Sequence, residues 1–247
     1  MKVELVSLTK PCIEGVNSAE DLIACCARVS NPGNQMNSAS APGLLRYLIK
    51  NKHWSPFEMV SMCVSIETSR AMAQQILRHR SFSFQEFSQR YASVDDLDEI
   101  LEPVELRWKA ETNRQSSSKS TDKYDNIINL QNSDAVDLYM TLVGAGVSTE
   151  TARFVLPLTT KTKIYMNGTL RSWIHYLDIR ADEHTQKEHR LIAENIKNIV
   201  EQQFPTVYEA IYSKEAINQE KIEKATRILV HAGIMTELER QKMINCV

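Results

Sequence analysis

Two hydrophobic periods alternate along this chain, and their order limits the fold class. Between Val60 and Ile66 every second residue is apolar, which predicts a strand over 58–67 with one buried face. Apolar residues at helical spacing precede and follow this strand, over 42–50 and 69–79. Strands and helices do not repeat in regular strand–helix–strand units. We therefore expect an α+β fold in which helices pack around a mixed, antiparallel-containing sheet.

The remaining patterns extend this order over the whole chain. Extended segments are predicted over 1–6, 82–91 and 159–166, and helices over 18–29, 133–143, 148–154, 169–179 and 183–203. A serine-rich stretch predicts a mobile surface loop at about 109–124. A helical C-terminal tail is predicted from about 205. The elements continue after the loop, so we expect a single domain over 1–247.

Charge and cysteine usage exclude several classes of function. The 29 Lys and Arg against 31 Asp and Glu leave a net charge of -2, so a nucleic-acid polyanion is not the expected partner, whereas small anions are. No apolar run reaches the ~18 residues of a membrane span. The five cysteines include no Cys-x-x-Cys pair, which indicates reduced thiols in a cytoplasmic protein without a disulfide framework or zinc site.

The densest polar cluster of the sequence runs from Arg78 to Tyr91. Gln75, Arg78 and His79 have the spacing of one helix face, and arginine forks match phosphate oxygens. Ser, Gln, Glu and Arg then alternate with phenylalanines, so one side of an extended segment could bind a nucleotide base and sugar. Alternatively, the basic residues only complement the negative end of their helix. The basic run alone favours the second interpretation, but the full pattern from Arg78 to Tyr91 contains more than basic residues.

That segment also resembles the signature of a known family. Arg-His-Arg-x-x-Ser at 78–83, followed by Glu, x, Ser, x, Arg and Tyr at 86–91, is similar to the signature of the flavin-dependent thymidylate synthases, the ThyX or Thy1-complementing family. Other blocks match in the order of the family, at 27–30, 53–58, 113–117, 152–157, 170–172 and 177–186. The resemblance therefore spans residues 27 to about 190.

The resemblance implies a reaction and its cofactors. Members of this family make dTMP from dUMP, with methylenetetrahydrofolate as the one-carbon donor and NADPH as the reductant of bound FAD. The flavin carries the hydride, while the protein supplies binding, orientation and charge. Members of the family form homotetramers with each active site at a subunit interface, so the resemblance implies the same assembly here. Nucleic acid and membrane are not implied as partners.

The resemblance also implies roles for individual positions. The positions that match FAD-binding residues are Ser30, Ser55, Arg78, His79, Arg80, Glu86, Thr169, Arg171, His175 and His184. The positions that match dUMP-binding residues are Gln75, Glu86, Ser88, Gln89, Arg90, Arg153 and Arg180. The catalytic positions are Arg180, which stabilises charge on the uracil carbonyls, Ser88, and His53, which lies beside the flavin where folate stacks.

A serine or cysteine nucleophile is the less favoured mechanism. Ser88 is close in sequence to His79, which could activate it as a nucleophile. However, no acid is recognisably placed to orient the histidine, and no Gly-x-Ser-x-Gly elbow surrounds the serine. Ser88 is better interpreted as a substrate ligand. No cysteine lies inside a motif block, so the mechanism needs no enzyme cysteine.

Other interpretations are weaker. His184 and His189 are five residues apart and do not share a helix face, so no metal site is predicted and His189 is expected on a solvated face. A flavin- and folate-dependent uracil methyltransferase acting on RNA is an alternative, against which the near-neutral charge argues. A non-catalytic nucleotide-binding homologue is the other alternative, although a decayed site would be expected to have lost at least one charged residue.

Overall fold

The computed structural model describes residues 1–94, 99–111 and 116–245. Its strands are β1 (Lys2–Leu8), β2 (Ser61–Ser69), β3 (Ser83–Glu86), β4 (Arg107–Lys109), β5 (Ser117–Ser120) and β6 (Lys161–Thr169). Its α-helices are α1 (Ala19–Ala27), α2 (Ala41–Lys50), α3 (Arg70–Ile76), α4 (Asp125–Gly144), α5 (Thr149–Ala152), α6 (Leu170–Arg180), α7 (Lys187–Gln203), α8 (Pro205–Tyr212), α9 (Lys214–His231) and α10 (Glu237–Asn245). The family-like block at 113–117 lies outside the described residues over 113–115.

The chain divides into two compact units. Unit 1 comprises Met1–Thr9 and Ser61–Lys197, and unit 2 comprises Lys10–Val60 and Asn198–Val247. Unit 1 holds the sheet and the polar cluster of the sequence, so it is the unit in which the candidate site is built. The single domain expected from the sequence stays a prediction.

The sheet of unit 1 is antiparallel, in the order β1-β2-β6-β3. Its central pair, β2 and β6, is in register throughout, with Ile66 opposite Ile164 and Val64 opposite Met166. These four apolar side chains are fully buried, as the alternating sequence pattern requires of one sheet face. Helices and an antiparallel sheet together confirm the predicted α+β class.

Both central strands lead directly into a helix. Ser69 ends β2 and caps α3, since its Oγ accepts a hydrogen bond from the backbone N–H of Met72. Thr169 ends β6 and caps α6 in the same way through Ser172. Because the strands are antiparallel, the helices start at opposite ends of the sheet. Arg180, the last residue of α6, is nevertheless hydrogen-bonded to His79, which follows the end of α3 by three residues.

Gly168 allows the segment after α3 to close onto the sheet. A Cβ built on Gly168 would lie 2.4 Å from Cδ1 of Phe82, a distance that no real Cβ contact tolerates. The Phe82 ring therefore lies on the glycine, with its centroid 4.6 Å from that of the buried Trp173. The indole N–H of Trp173 in turn donates to the Met62 carbonyl at 3.0 Å. This packing holds the residues just before Phe82 against α6.

Around this segment the structure differs from the sequence prediction. The helix predicted over 69–79 ends at Ile76, and the extended segment predicted over 82–91 forms a strand only over Ser83–Glu86. After Ile76 the backbone forms turns instead, in which the His79 N–H donates to the Ile76 carbonyl and the Phe82 N–H donates to the His79 carbonyl, and Phe82 packs on Gly168. Consequently Arg78 and His79 lie beyond the helix instead of on its face.

The region after the acidic stretch is also more regular than predicted. Where a loop is expected over 109–124, β5 pairs with β4 as a short hairpin, apart from residues 112–115, which lie outside the described part. Helix α4 begins at Asp125, eight residues before the N-cap signal at Ser133. Its buried Tyr139 packs with Val94 and Ala152. The helix therefore extends beyond the start that the capping signal predicted.

Unit 2 is helical in its described part. Helix α1 begins with a capping box in which Ser18 and Asp21 exchange hydrogen bonds. The carboxylate of Glu20 accepts from the backbone N–H of Val207 at 2.9 Å, which ties α1 to α8. Helix α8 begins at Pro205, a position where the missing N–H of proline costs no helical hydrogen bond. Among the described helices of the whole chain, none is long and apolar enough to cross a membrane.

Candidate active site

The centre of the candidate site is a contact between His79 and Arg180. Nε of Arg180 donates to Nε2 of His79 at 2.9 Å. A guanidinium has only donors, so Nε2 has to accept and the proton of the neutral ring resides on Nδ1. Arg180 ends α6, where a cation complements the helix dipole. The pair therefore holds a fixed positive charge beside an uncharged imidazole.

Behind this pair lies His189, which sequence analysis placed wrongly. It was expected on a solvated helix face, but it is 0% exposed. Its Nε2 lies 3.0 Å from the Tyr176 hydroxyl and its Nδ1 lies 3.3 Å from Oε1 of Gln75. His189 precedes Ile192 and Ile196 by three and seven residues, and those residues form the buried stripe of α7. That spacing is the signal that could have revealed its position.

Both histidines are held in the neutral form. Burial, together with the nearby Arg180 and His175, lowers the pKa of His79 to about 4. Burial, together with Arg180 and His79, lowers the pKa of His189 to about 3. Burial also raises the pKa of the Tyr176 hydroxyl. At neutral pH the positive charge of the cluster is thus confined to Arg180.

An open cleft of about 520 Å³ lies beside this cluster. It is lined by Ala71, Met72, Gln74, Gln75, Arg78, Leu158 and Gln186. Gln75 donates its amide N–H to Oε1 of Gln186 at 2.7 Å. The cleft therefore joins one predicted dUMP residue, Gln75, and one predicted FAD residue, Arg78, on a surface with both polar and apolar groups.

Two of the predicted dUMP-binding arginines, Arg90 and Arg153, lie with Glu150 on a surface of unit 1 that is called the rim below. The Arg90 guanidinium pairs with the Glu150 carboxylate at 3.5 Å, and the Arg153 side chain donates to the Glu150 carbonyl at 3.1 Å. The Thr149 hydroxyl donates to the Arg90 carbonyl at 2.8 Å. Through residues 149 and 150 the short helix α5 thus brings Arg90 and Arg153 to one place, although 62 residues separate them in sequence.

Ser88 and Gln89 differ in their surroundings. Ser88 is exposed, and its carbonyl accepts from the N–H groups of Tyr91 and Ala92. Gln89 is buried, and its Oε1 accepts from Arg70 at 2.5 Å. Its Nε2 has no hydrogen-bond partner among the described residues. A buried amide N–H without a partner is available to donate a hydrogen bond to an acceptor atom of a bound molecule.

The remaining predicted residues of unit 1 are spread along β3, β6 and α6. Glu86 accepts from the Thr162 hydroxyl at 3.0 Å, and Thr169 caps α6. Four further predicted residues, Arg80, Arg171, His175 and His184, are exposed. Of these, His175 lies close enough to His79 to lower its pKa.

Three predicted site residues belong to unit 2. His53 is exposed, with its ring edge-on to Tyr47 at 6.1 Å between centroids. Ser55 begins a short 3-10 helix, and Ser30 is exposed after α1. Their predicted roles beside the flavin stay predictions.

Comparison with known sequences identifies the family. The sequence model described as "Thymidylate synthase complementing protein" (Thy1) matches residues 12–206, most of the chain. The chain belongs to the Thy1 family. It is 46% identical over 216 residues to a probable flavin-dependent thymidylate synthase of Paramecium bursaria Chlorella virus 1, covering 85% of this chain and 99% of that protein. It is 47% identical over 223 residues to the flavin-dependent thymidylate synthase of Synechocystis, with the same coverage.

Solved structures resemble this Thy1 chain as well. A UMP/dUMP methylase, PolB from Streptomyces cacaoi, is similar with a TM-score of 0.69 and 26% identity in its complex with 5-Br dUMP. In its complex with 5-Br UMP it is similar with a TM-score of 0.70 and 28% identity. The matches cover 85% of this chain and 94% and 92% of the two PolB chains.

Proposed function

We propose that the chain catalyses the reductive methylation of dUMP to dTMP, with methylenetetrahydrofolate as the one-carbon donor and NADPH as the reductant through bound FAD. The observation that carries this proposal is the identity of 46% and 47% with two flavin-dependent thymidylate synthases along 99% of their length. The cluster of Gln75, His79 and Arg180 in unit 1 supports it, since all three are at positions implied by the family resemblance.

The residues present fit a flavin nucleotide. Arg78 lines the open cleft and Arg80 is exposed two residues later, and guanidinium groups are the donors that suit a pyrophosphate. In unit 1 we propose flavin binding for Arg78, His79, Arg80, Glu86, Thr169, Arg171, His175 and His184. For the positions of unit 2 the resemblance implies flavin binding at Ser30 and Ser55, and at His53 a place beside a flavin where folate stacks. When bound, the flavin supplies the hydride chemistry that protein side chains lack.

Arg180 is proposed to activate the uracil ring. Its Nε donates to His79, and in the described part of the chain the two terminal nitrogens of the guanidinium have no hydrogen-bond partner, so they remain for a ligand. Attack on a uracil ring places negative charge on a carbonyl oxygen, and a fixed guanidinium stabilises that charge without reorganising. Because His79 is neutral and accepts from Nε, it orients Arg180 without adding a second charge.

We propose that the rim holds the nucleotide itself. Arg90 and Arg153 suit the phosphate dianion, to which guanidinium groups bind bidentately. Ser88, Gln89 and Glu86 provide a hydroxyl, an amide and a carboxylate for the sugar and base. Ser88 acts as a ligand and not as a nucleophile, since it has no described acid–histidine pair to activate it.

The assembly is part of the proposal. We propose a cytoplasmic homotetramer with each active site at a subunit interface, as the family resemblance implies. Dilution into separate subunits is then expected to lower activity per chain, which a titration of enzyme concentration against specific activity measures. Constant specific activity in isolated subunits would contradict the shared site.

The decisive experiment begins with the visible spectrum of the purified protein. Flavin bands that stay with the protein through gel filtration, followed by dTMP formation from dUMP, methylenetetrahydrofolate and NADPH, are the expected result. A protein that takes up no FAD, or that takes it up and forms no dTMP, would contradict the proposal.

UMP is a second candidate substrate, because the structural neighbour PolB is a UMP/dUMP methylase. The same assay with UMP in place of dUMP separates the two. We expect dUMP to be preferred, since the chain is much closer in sequence to the thymidylate synthases than to PolB. A higher kcat/KM for UMP would reverse the assignment.

A further inference from the structure

Gln75 belongs to a continuous chain of hydrogen bonds that crosses unit 1. From the buried end, the Tyr176 hydroxyl contacts Nε2 of His189, and Nδ1 of His189 contacts Oε1 of Gln75. Nε2 of Gln75 donates to Oε1 of Gln186, and Nε2 of Gln186 donates to Oε2 of Glu188 at 2.9 Å. Two of these residues, Gln75 and Gln186, line the cleft.

The carboxylate at one end dictates the direction of every bond in this chain. A carboxylate only accepts, so Gln186 has to present its amide nitrogen to Glu188 and its oxygen to Gln75. Gln75 then has to donate from Nε2, which leaves Oε1 facing His189. His189 therefore donates from Nδ1, and its Nε2 accepts from Tyr176. A hydroxyl can donate or accept, so Tyr176 completes the chain without setting its direction.

Arg107 keeps Glu188 ionised and in place. Its guanidinium donates to Oε1 of Glu188 at 2.6 Å, which leaves Oε2 for Gln186. Hydrogen bonds from Arg107 and Gln186 lower the pKa of Glu188 against the opposing effect of burial. Arg107 is itself held by the Ser117 hydroxyl at 2.9 Å, so the β4–β5 hairpin anchors the chain.

We propose that Glu188 is a positioning residue that fixes the carboxamide orientation of Gln75, so that the cleft presents amide N–H groups to oxygen atoms of a bound nucleotide. With the chain in this direction, the amide nitrogens of Gln75 and Gln186 each keep one N–H free of the bonds described. The role rests on the proposed function, in which Gln75 binds dUMP, but the direction of the chain is a property of the protein alone.

The direction can be measured without any ligand. In protein with ¹⁵N-labelled histidine, the His189 ring is expected as a single Nδ1–H tautomer, assigned by the signal that His189→Gln removes. The substitution Glu188→Gln reverses the direction, because Arg107 only donates and therefore holds the new amide oxygen, which turns the new amide N–H toward Gln186. A change to the Nε2–H tautomer is then expected. An unchanged Nδ1–H tautomer in Glu188→Gln would overturn the proposal.

Two matched variants separate this role from a general loss of charge or packing. Glu194→Gln removes the same charge from the same helix, at a residue that pairs with Arg190, and is expected to leave the tautomer unchanged. Tyr176→Phe removes the hydroxyl at the buried end and is also expected to leave it unchanged, since the carboxylate still sets the direction. A tautomer mixture in Tyr176→Phe would mean that the Tyr176 hydroxyl sets the direction of the chain, and it would overturn the proposal.

Binding of dUMP, measured by calorimetry, tests the consequence for the cleft. Glu188→Gln is expected to weaken binding roughly 3- to 10-fold, the size of one oriented hydrogen bond. In a Gln75→Ala background the same substitution is expected to have no further effect, because Glu188 acts through Gln75. Equal losses in both backgrounds, or none in either, would overturn the proposal. Wild-type protein that binds no dUMP would refute the proposed function instead. In that case the His189 tautomer alone tests the direction of the hydrogen-bond chain.

Discussion

The interior cluster of His79, Arg180 and His189 and the exposed rim of Arg90, Glu150 and Arg153 handle charge in opposite ways. In the interior, burial keeps both histidines neutral and leaves one guanidinium, whose Nε is fixed by a hydrogen bond. On the rim, charged groups face solvent, with the Arg90 and Glu150 side chains 67% and 53% exposed. The interior is thus oriented before a ligand arrives, while the rim can rearrange around one.

This difference matches the two tasks that the proposed function requires. Stabilising charge that develops during a reaction needs a group that is already in place. Holding a phosphate needs charge and reach more than rigidity, since the dianion is present from the start. We therefore expect interior substitutions to act on turnover and stability, and rim substitutions to act on nucleotide affinity with little change in stability.

The largest effect is expected from Arg180. Arg180→Ala should lower the kcat for dTMP formation by about 10²–10³, the cost of removing one preorganised donor to a developing oxyanion. Arg180→Lys keeps the charge but loses the Nε–H that His79 orients, so it should recover little. Steady-state assays at saturating dUMP measure both, with visible absorbance as the check that flavin stays bound.

A control for Arg180 is available in helix α9. Arg227→Ala removes an exposed arginine there and should leave kcat unchanged. Turnover of Arg180→Ala equal to that of Arg227→Ala would remove Arg180 from the mechanism and the interior cluster from its central role.

The packing that supports the interior is expected to be sensitive at Gly168. Gly168→Ala places a methyl group 2.4 Å from the Phe82 ring and should lower the free energy of unfolding by about 1–3 kcal/mol. Gly43→Ala is the matched control, because a Cβ there meets no atom within 4 Å and alanine favours helix α2. Urea denaturation compares the two. The cost at Gly168 should shrink in a Phe82→Leu background, and a cost that persists there would place the strain elsewhere.

The neutral histidines predict a loss of stability in acid. An unfolded histidine protonates near pH 6.5, whereas folded His79 and His189 do so only at about 4 and about 3. Below about pH 6.5 the unfolded state therefore binds more protons, and stability falls with a slope of up to ~1.4 kcal/mol per pH unit for each histidine. Half-exposed His79 contributes less than His189. Stability should be regained only above pH 6.5.

The contribution of His189 can be isolated by substitution. His189→Gln should flatten the fall of unfolding free energy between pH 7 and pH 5, when both proteins are measured by urea denaturation. His231→Gln, which removes an exposed histidine of α9, should keep the wild-type pH profile. Identical profiles for wild type and His189→Gln would mean that His189 is not held neutral.

The sequence predicted some parts of this molecule and not others for physical reasons. The strand from Val60 to Ile66 was predictable because apolar residues alternate along a strand that buries only one of its faces. The end of α3 was not, because no proline or glycine follows Ile76 to mark it, and the packing of Phe82 on Gly168 joins residues far apart in sequence. The prediction of a solvated position for His189 was wrong because it rested on the absence of metal-ligand spacing and not on the position of His189 in an apolar stripe.

The candidate site shows the same division. The family-like motifs pointed to Gln75, His79 and Arg180, which the structure brings together around His189. Tyr176, Gln186 and Glu188 lie outside the roles that the motifs implied, and only the three-dimensional arrangement connects them to Gln75. A motif identifies residues that share a ligand, whereas the residues that orient them are found only from contacts.

The smallest effect is expected on the rim. Glu150→Gln breaks an exposed ion pair with Arg90 and should change the free energy of unfolding by only ~0.2–1 kcal/mol, with the difference reduced at high salt. Urea denaturation at low and at high ionic strength measures this, with Glu194→Gln as a control that removes another exposed carboxylate. A loss well above 1 kcal/mol that salt does not reduce would mean that the rim is as rigidly organised as the interior, and the contrast between the two regions would fail.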